Sequence, residues 1–372
     1  MPEYYIGLIS GTSIDAIDTV LIGMKGDGKP EIISSLASPI EESIRVPLHA
    51  LIKQGADATL GQLSKLDVML GRLFAGAVQQ LLKQAGLTGP QIKAIGSHGQ
   101  TVFHQPEGGT PTSIQIGDPN LIAEITGITT VADFRRRDMA AGGQGAPMVP
   151  AFHQAVFHSD SEDRVVVNIG GIANITVLPK GGNQPVTGFD TGPGNTLMDL
   201  WTLKFLNQTM DRDGQFAEKG VVNNELLEQL LADNYFSRPA PKSTGREYFN
   251  LSWLLKNFGP TKTRPEDTQA TLCELTAVSV MQAIKKSAPD TQRILVCGGG
   301  SHNPLLMSRM HKLGGDIIFD NTSMAGIDPD WVEAAAFAWL ACKTLEGNSG
   351  NLPSVTGARS ECVLGGIYQA GL

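Results

Sequence analysis

The sequence predicts an α/β protein built from two similar domains, and three observations lead there. The chain has 372 residues, beyond the roughly 250–300 at which a single hydrophobic core stops growing. It opens with a strand, a small polar turn and a returning strand, and the same pattern recurs near residue 165, as an internal duplication would leave it. Apolar strands alternate with segments of helical period and end repeatedly in glycine, the signature of tight turns at strand ends.

The elements follow in chain order. Tyr4 to Ile9 is a β-rich run that meets Ser10-Gly11-Thr12-Ser13 and resumes as Thr19 to Ile22. Residues 60–86 place Leu60, Leu63, Leu66, Leu70, Leu73, Phe74, Val78 and Leu81 at helical period, and Ala94 to His98 reads as a buried strand running into a glycine turn. Val165 to Gly171 and Ala173 to Leu178 repeat the opening hairpin. An amphipathic run from Thr196 to Leu206 comes next, then a helix near 268–287 and the strand Ile294 to Cys297, which ends in Gly298-Gly299-Gly300. Residues 207–265 are polar and proline-rich and read as a helical insertion with loops; 331–345 is an alanine-rich helix, expected to pack at an interdomain cleft. The boundary falls near 130–165.

Composition narrows the function. Hydrophobic residues make up 41% and charged residues 18%, as in ordinary globular proteins. Lys and Arg total 29 against 37 Asp and Glu, a net charge of −8; that is the wrong sign for broad capture of nucleic acid or anionic lipid, so phosphate would bind at a local site. No stretch of about 20 apolar residues appears, and Met1 to Val20 carries Glu3, Asp15 and Asp18 without a basic leader. Cys273, Cys297, Cys342 and Cys362 show no paired metal spacing and read as buried thiols of a reducing compartment. A cytoplasmic protein is expected.

Several motifs carry chemistry. Ser10 to Asp18 supplies small residues that let backbone N–H groups approach an anion, hydroxyls that donate to phosphate, and carboxylates that could hold Mg²⁺; a plain hairpin with a satisfied polar turn is the alternative. Asn168-Ile169-Gly170-Gly171 reads as a second, facing clamp, or else as a structural bend. Asp190, in Gly188-Phe189-Asp190-Thr191-Gly192, lies at the end of a short apolar strand before a Gly/Pro turn, which would expose it as a general base; a turn-stabilising carboxylate is the alternative. Gly298, Gly299 and Gly300 suit close approach of a nucleotide base or ribose.

His98 and Gln100, in Ser97-His98-Gly99-Gln100-Thr101, stand at a strand exit where they could meet a sugar hydroxyl. The guanidinium groups of Asp133-Phe134-Arg135-Arg136-Arg137-Asp138 could bind a substrate carboxylate or pair locally with Asp133 and Asp138. Glu333 is the one acid in an apolar helical turn, consistent with burial near a metal or sugar, or with helix-surface exposure.

Together, Ser10 to Asp18, Ser97 to Thr101, Asp133 to Arg135 with Gly145-Ala146-Pro147, Asn168 to Asn174 and Gly188 to Asn195 closely resemble the anhydro-N-acetylmuramic acid kinase family over nearly the whole chain. The resemblance implies two duplicated actin-like (ribonuclease H-like) α/β domains around an interdomain nucleotide cleft. It divides the chain into an N-terminal domain at 1–130 with substrate contacts, a connecting segment at 131–164, and a C-terminal domain at 165–372 with the catalytic Asp and the adenosine site. It further implies that ATP, with Mg²⁺, and water convert 1,6-anhydro-N-acetylmuramic acid to N-acetylmuramic acid 6-phosphate and ADP in murein recycling.

On this footing Asp190 is the catalytic base. Gly11, Thr12, Ser13, Ile14, Asp15, Ala16, Ile17, Asp18, Asn168, Gly170, Gly171, Gly298, Gly299 and Gly300 bind the nucleotide, and His98, Gln100, Asp133, Arg135 and Glu333 bind the sugar. The wider superfamily has an acid ahead of the first Gly-Thr turn where this chain has Leu8 and Ile9, so the metal ligands stay unassigned among Asp15, Asp18 and Glu333. The expected partner is the small-molecule substrate, with no nucleic acid or membrane and with a homodimer left open. A kinase for an ordinary open sugar and a sugar-sensing regulator are the competing readings.

Overall fold

The structure, a computed structural model, describes residues 2–11, 13–24, 26, 28–258 and 263–371. From the N-terminus, β1 (Glu3–Ser10), β2 (Ala16–Met24) and β3 (Pro30–Pro39) form an antiparallel meander. Residues 5–10 of β1 are all buried, because this apolar run is the central strand and is covered on both faces. Helices α1 (Glu42–Gln54) and α2 (Leu60–Ala85) lead to β4 (Ile92–Ser97), parallel to β1. Thr59 and Gln62 close a capping box at the start of α2, and Leu70, Phe74 and Val78 on its apolar stripe enter the core beside Ile6 and Leu21. A hairpin of β5 (Gln100–Gln105) and β6 (Thr112–Ile116) stands apart from the main sheet. Then come α3 (Pro119–Thr126), β7 (Thr130–Ala132) parallel to β4, α4 (Phe134–Ala140) and α5 (Pro150–Phe157).

A second sheet repeats the plan. β8 (Arg164–Ile169), β9 (Ile172–Leu178) and β10 (Thr187–Pro193) form another antiparallel meander. Helix α6 (Thr196–Leu206) follows, then the short helices α7 (Gln215–Glu218), α8 (Asn224–Leu231), α9 (Asn234–Ser237) and α10 (Leu251–Lys256), and the long, largely buried α11 (Pro265–Ser287). β11 (Arg293–Cys297) lies parallel to β8; after α12 (Pro304–Gly314), β12 (Ile318–Asn321) lies parallel to β11. The strand order β10-β9-β8-β11-β12 matches β3-β2-β1-β4-β7 of the first sheet in sequence and direction. The duplication seen in the two opening hairpins therefore extends through five strands.

The chain then returns. Helix α13 (Val332–Leu345) packs on β1 and β4, followed by α14 (Pro353–Thr356), and β13 (Gly366–Tyr368) adds to the edge at β7. Close approach explains the alanines: a Cβ at Gly7 would run into the Ala334 carbonyl, and one at Gly96 into that of Phe337.

The packing thus draws the domains differently from the expected 1–130, 131–164 and 165–372. One compact unit comprises residues 1–156 and 331–372, the other 157–330. The segment 131–156 supplies β7, α4 and most of α5 to the first unit, and the C-terminal 42 residues rejoin it because α13 covers a face of its sheet that only an alanine helix fits. Among the described residues, no helix is long and apolar enough to cross a membrane, and all four cysteines are buried free thiols.

Candidate active site

In the second unit, one transverse row crosses the sheet near the carboxyl ends of its parallel strands. Cys297 on β11 is opposite Asn168 on β8, Asn168 is opposite Asn174 on β9, and Asn174 is opposite Asp190 on β10. Ligands of open α/β sheets bind at this end of the strands. The Gly170–Gly171 turn and the Gly298–Gly300 turn leave β8 and β11 at the same edge, so the structure brings together three features that are far apart in sequence.

Asp190 does not sit at an exposed turn, as its flanking Gly/Pro residues suggested. It lies inside β10 beside a bulge at Thr191, whose hydroxyl donates to the Ala173 carbonyl at 3.1 Å, and it is only 9% exposed. Its carboxylate Oδ2 accepts the Thr244 N–H at 2.9 Å, its own N–H donates to the Lys242 carbonyl at 3.1 Å, and its carbonyl accepts the Tyr235 hydroxyl at 2.7 Å. A charge-assisted bond of this type is worth about 1.5–3 kcal/mol and fixes the rotamer.

The segment Lys242 to Arg246 is therefore part of the site, though it falls in the stretch that showed no periodicity. The Lys242 ammonium is buried, donates to the Tyr235 and Phe236 carbonyls at 3.0 and 3.4 Å, and lies 4.6 Å from the Tyr235 ring centre. Burial, reinforced by Lys286 and Arg238, brings its pKa down to about 8, with Asp190 acting against the shift. One signal could have found this segment. Lys-Ser-Thr-Gly-Arg has the small, hydroxyl and glycine composition that marked Ser10 to Asp18.

The Gly170–Gly171 turn is tied to the start of α6. The Gly170 carbonyl accepts the Asn195 N–H at 2.8 Å, and that of Gly171 accepts those of Gly194 and Thr196 at 2.9 and 3.1 Å. Asn168 is buried, with its Oδ1 against Gly298, whose φ of 78° needs glycine. Gly299 faces open space, and Gly300 packs on Ile169.

In the first unit, the turn after β1 is anchored from below. Ser10 is buried and its hydroxyl donates to Gln100 Oε1 at 2.6 Å; the Gln100 amide nitrogen donates to the Thr101 carbonyl at 3.1 Å. Gln100 thus braces the turn through its amide oxygen. Ile14 and Ile17 point into the hydrophobic core, leaving only their backbone to meet a ligand. Gly11 faces open space, exposed Asp15 accepts the Ser13 hydroxyl and, at 3.2 Å, the Ala16 N–H, and half-buried Asp18 pairs in register with Ile9. Thr12 lies outside the described residues.

His98, Arg135 and Glu333 come together. The Arg135 Nε–H donates to His98 Nε2 at 3.0 Å, and Nη1 donates to the Gly145 carbonyl at 2.7 Å. A guanidinium only donates, so Nε2 holds the lone pair; the proton is on Nδ1 and goes to the Gly99 carbonyl at 3.0 Å. His98 is buried against the Phe337 ring, and burial, then Arg135, lowers its pKa well below the ordinary value. Burial raises that of Glu333, with Arg135 opposing. Asp133 instead pairs with Arg136 at 2.6 Å, the local pairing weighed for this run. Asp138 is fully buried and accepts bonds from Gly145, Asn351 and Thr356. Beside them is a polar cavity of about 290 Å³ lined by Asp67, Ser97, His98, Gly117, Asp118 and Asp133 among others. Among the described residues, no group of three or more His, Cys, Asp or Glu could hold a metal ion.

Residues 3–370 match the family model described as anhydro-N-acetylmuramic acid kinase. Proteins named anhydro-N-acetylmuramic acid kinase are similar throughout. One from Coxiella burnetii is 52% identical over 366 residues, covering 98% of this chain and 97% of that relative. Another, from Xylella fastidiosa, is 49% identical and covers 98% and 96%; a third, from Xanthomonas campestris pv. campestris, is 47% identical and covers 98% and 97%.

Proposed function

Because the chain belongs to the anhydro-N-acetylmuramic acid kinase family, we propose that it uses ATP and water to open the bicyclic sugar and phosphorylate it at O6, with Asp190 as the base. It is a kinase of murein recycling, and its substrate is a small sugar. The observation that carries the mechanistic reading is the Asp190 carboxylate, nearly buried and aimed by the Thr244 N–H, on the sheet edge that also presents the Gly170–Gly171 and Gly298–Gly300 turns.

In the anhydro sugar O6 is tied to C1, so no free hydroxyl is available at that position. Asp190 takes a proton from water as the water oxygen bonds to C1. The C1–O6 bond breaks, O6 bonds to the terminal phosphorus, and the bridging oxygen leaves with ADP. Phosphorus takes the place of the acid proton that a glycosidase supplies from a second carboxyl group. One carboxylate therefore suffices.

The glycine turns hold the phosphates through backbone N–H groups, and the Gly298 turn takes the nucleoside. Arg135, oriented by neutral His98, recognises the lactyl carboxylate; Glu333 lies near that guanidinium, where it can meet a sugar hydroxyl. Mg²⁺ arriving with the nucleotide would be held mainly by its phosphates and water, with the carboxylate of exposed Asp15 or half-buried Asp18 in support, since Mg²⁺ keeps several waters and needs few carboxylates. Its chemistry there would be neutralisation of phosphate charge.

Turnover in ¹⁸O-labelled water tests the scheme. Label at the anomeric oxygen of newly formed product, ahead of anomeric exchange, is the expected result. Unlabelled product, or faster ADP release with the open sugar than with the anhydro form, points to an ordinary sugar kinase.

A further inference from the structure

Gly171 is bare on a face where two other residues meet. A Cβ built there would lie 2.8 Å from Thr196 Oγ1 and 3.3 Å from both Nε and Nη2 of Arg246. The hydroxyl and the guanidinium thus converge on the turn already read as a phosphate clamp. Thr196 is 1% exposed, at the start of the 11-residue helix α6, and its Oγ1 is buried with no hydrogen-bond partner among the described residues. Thr244 Oγ1 is in the same condition. A buried hydroxyl without a partner costs about 1–3 kcal/mol, and that of Thr196, on the same turn as the Arg246 guanidinium, is one an anion would satisfy.

The Lys242 ammonium is held by two carbonyls, and Arg238 lies over the Tyr235 ring at 5.9 Å. Arg246 lies against the glycine turn. Thr244 binds the Asp190 carboxylate through its N–H, and Arg246 is two residues further on.

We propose that Arg246, with the hydroxyls of Thr196 and Thr244, forms the seat of the phosphoryl group in transfer and neutralises its charge as the bond to ADP breaks and the bond to O6 forms. The inference rests on the kinase reading above and adds residues to the same site. An arginine fork suits it because the transferring group spreads charge over several oxygens.

The test is calorimetric titration of wild type, Arg246→Met, Arg246→Lys and Thr196→Val with Mg-ADP and with the non-hydrolysable triphosphate analogue Mg-AMPPNP, alongside steady-state kinetics. Arg246→Met is expected to weaken AMPPNP about tenfold or more and ADP much less, and to lower kcat about 10²-fold. Arg246→Lys should fall between it and wild type, and serves as the readout if the Met variant does not fold. Equal losses for the two nucleotides, or no loss for either, overturn the seat. If wild type binds neither nucleotide, the kinase reading fails and the seat with it. If Asp190→Asn keeps its turnover while Arg246→Met loses AMPPNP selectively, the base assignment fails and the seat stands.

Discussion

Arg135 donates its Nε–H to Nε2 of His98 at 3.0 Å and so holds the imidazole as a neutral Nδ1–H tautomer. Two further imidazoles of the same unit are held neutral chiefly by burial, His104 with a pKa of about 4 and His153 of about 3. Each has a folded pKa below its unfolded value, so the unfolded chain takes up protons that the folded one refuses. Their contribution is complete above about pH 6.5 and declines as pH falls below it, by up to about 1.4 kcal/mol per pH unit for each imidazole. Urea midpoints should fall between about pH 7 and about pH 5, and less steeply in His98→Gln. Glu162, whose bonds to Arg293 and Arg164 bring its pKa down to about 2, acts only further down, from about pH 4.5. A midpoint that does not move over the upper range contradicts the neutral assignment.

Asp190→Asn keeps an acceptor for the Thr244 N–H and removes the base. Folding and nucleotide binding should survive, while ADP release driven by the anhydro sugar falls by about 10²–10⁴-fold. A purified variant with near-normal turnover would take Asp190 out of the base role.

How much of this was legible depends on where each signal resides. The two hairpins, α6 and α13 announce themselves because apolar runs meet glycine, or because alanines repeat at helical period. β3 hides its pattern in polar residues such as Glu31, Ser34 and Ser35, as half-exposed edge strands do. Gln100 stands out as a ligand candidate from its neighbours in sequence, while its bond to Ser10, 90 residues away, is visible only in the fold. Lys242 to Arg246 carry no periodicity and reach Asp190 only through tertiary folding. The return of residues 331–372 to the first unit is likewise a matter of which surface an alanine helix fits.

That fit is testable at the sheet. In Gly96→Val the new side chain meets the Phe337 backbone, which cannot rotate aside, so α13 must lift from β4. Overpacking of this kind costs about 1–3 kcal/mol or more. A thermal melt should show the variant lower by several degrees, or the protein should fail to accumulate in soluble form. A variant that melts with wild type would mean that α13 does not pack where the glycines indicate.

Asp138 tests the return of the chain from its other end. Its carboxylate is fully buried and bonded to the Gly145 N–H at 2.9 Å, the Asn351 amide at 2.8 Å and the Thr356 hydroxyl at 2.7 Å. Two of those partners lie over 200 residues away, so one carboxylate fastens α4 to the C-terminal segment. In Asp138→Ala three donors lose their acceptor in a buried space that water enters poorly, at about 1–3 kcal/mol for each that stays unsatisfied. Limited proteolysis should then cut first near residues 346–361, before the sheets open, and the melting temperature should fall. Unchanged protection of that segment in Asp138→Ala would show that α13 and the β13–β7 pairing hold the C-terminus to the first unit without it.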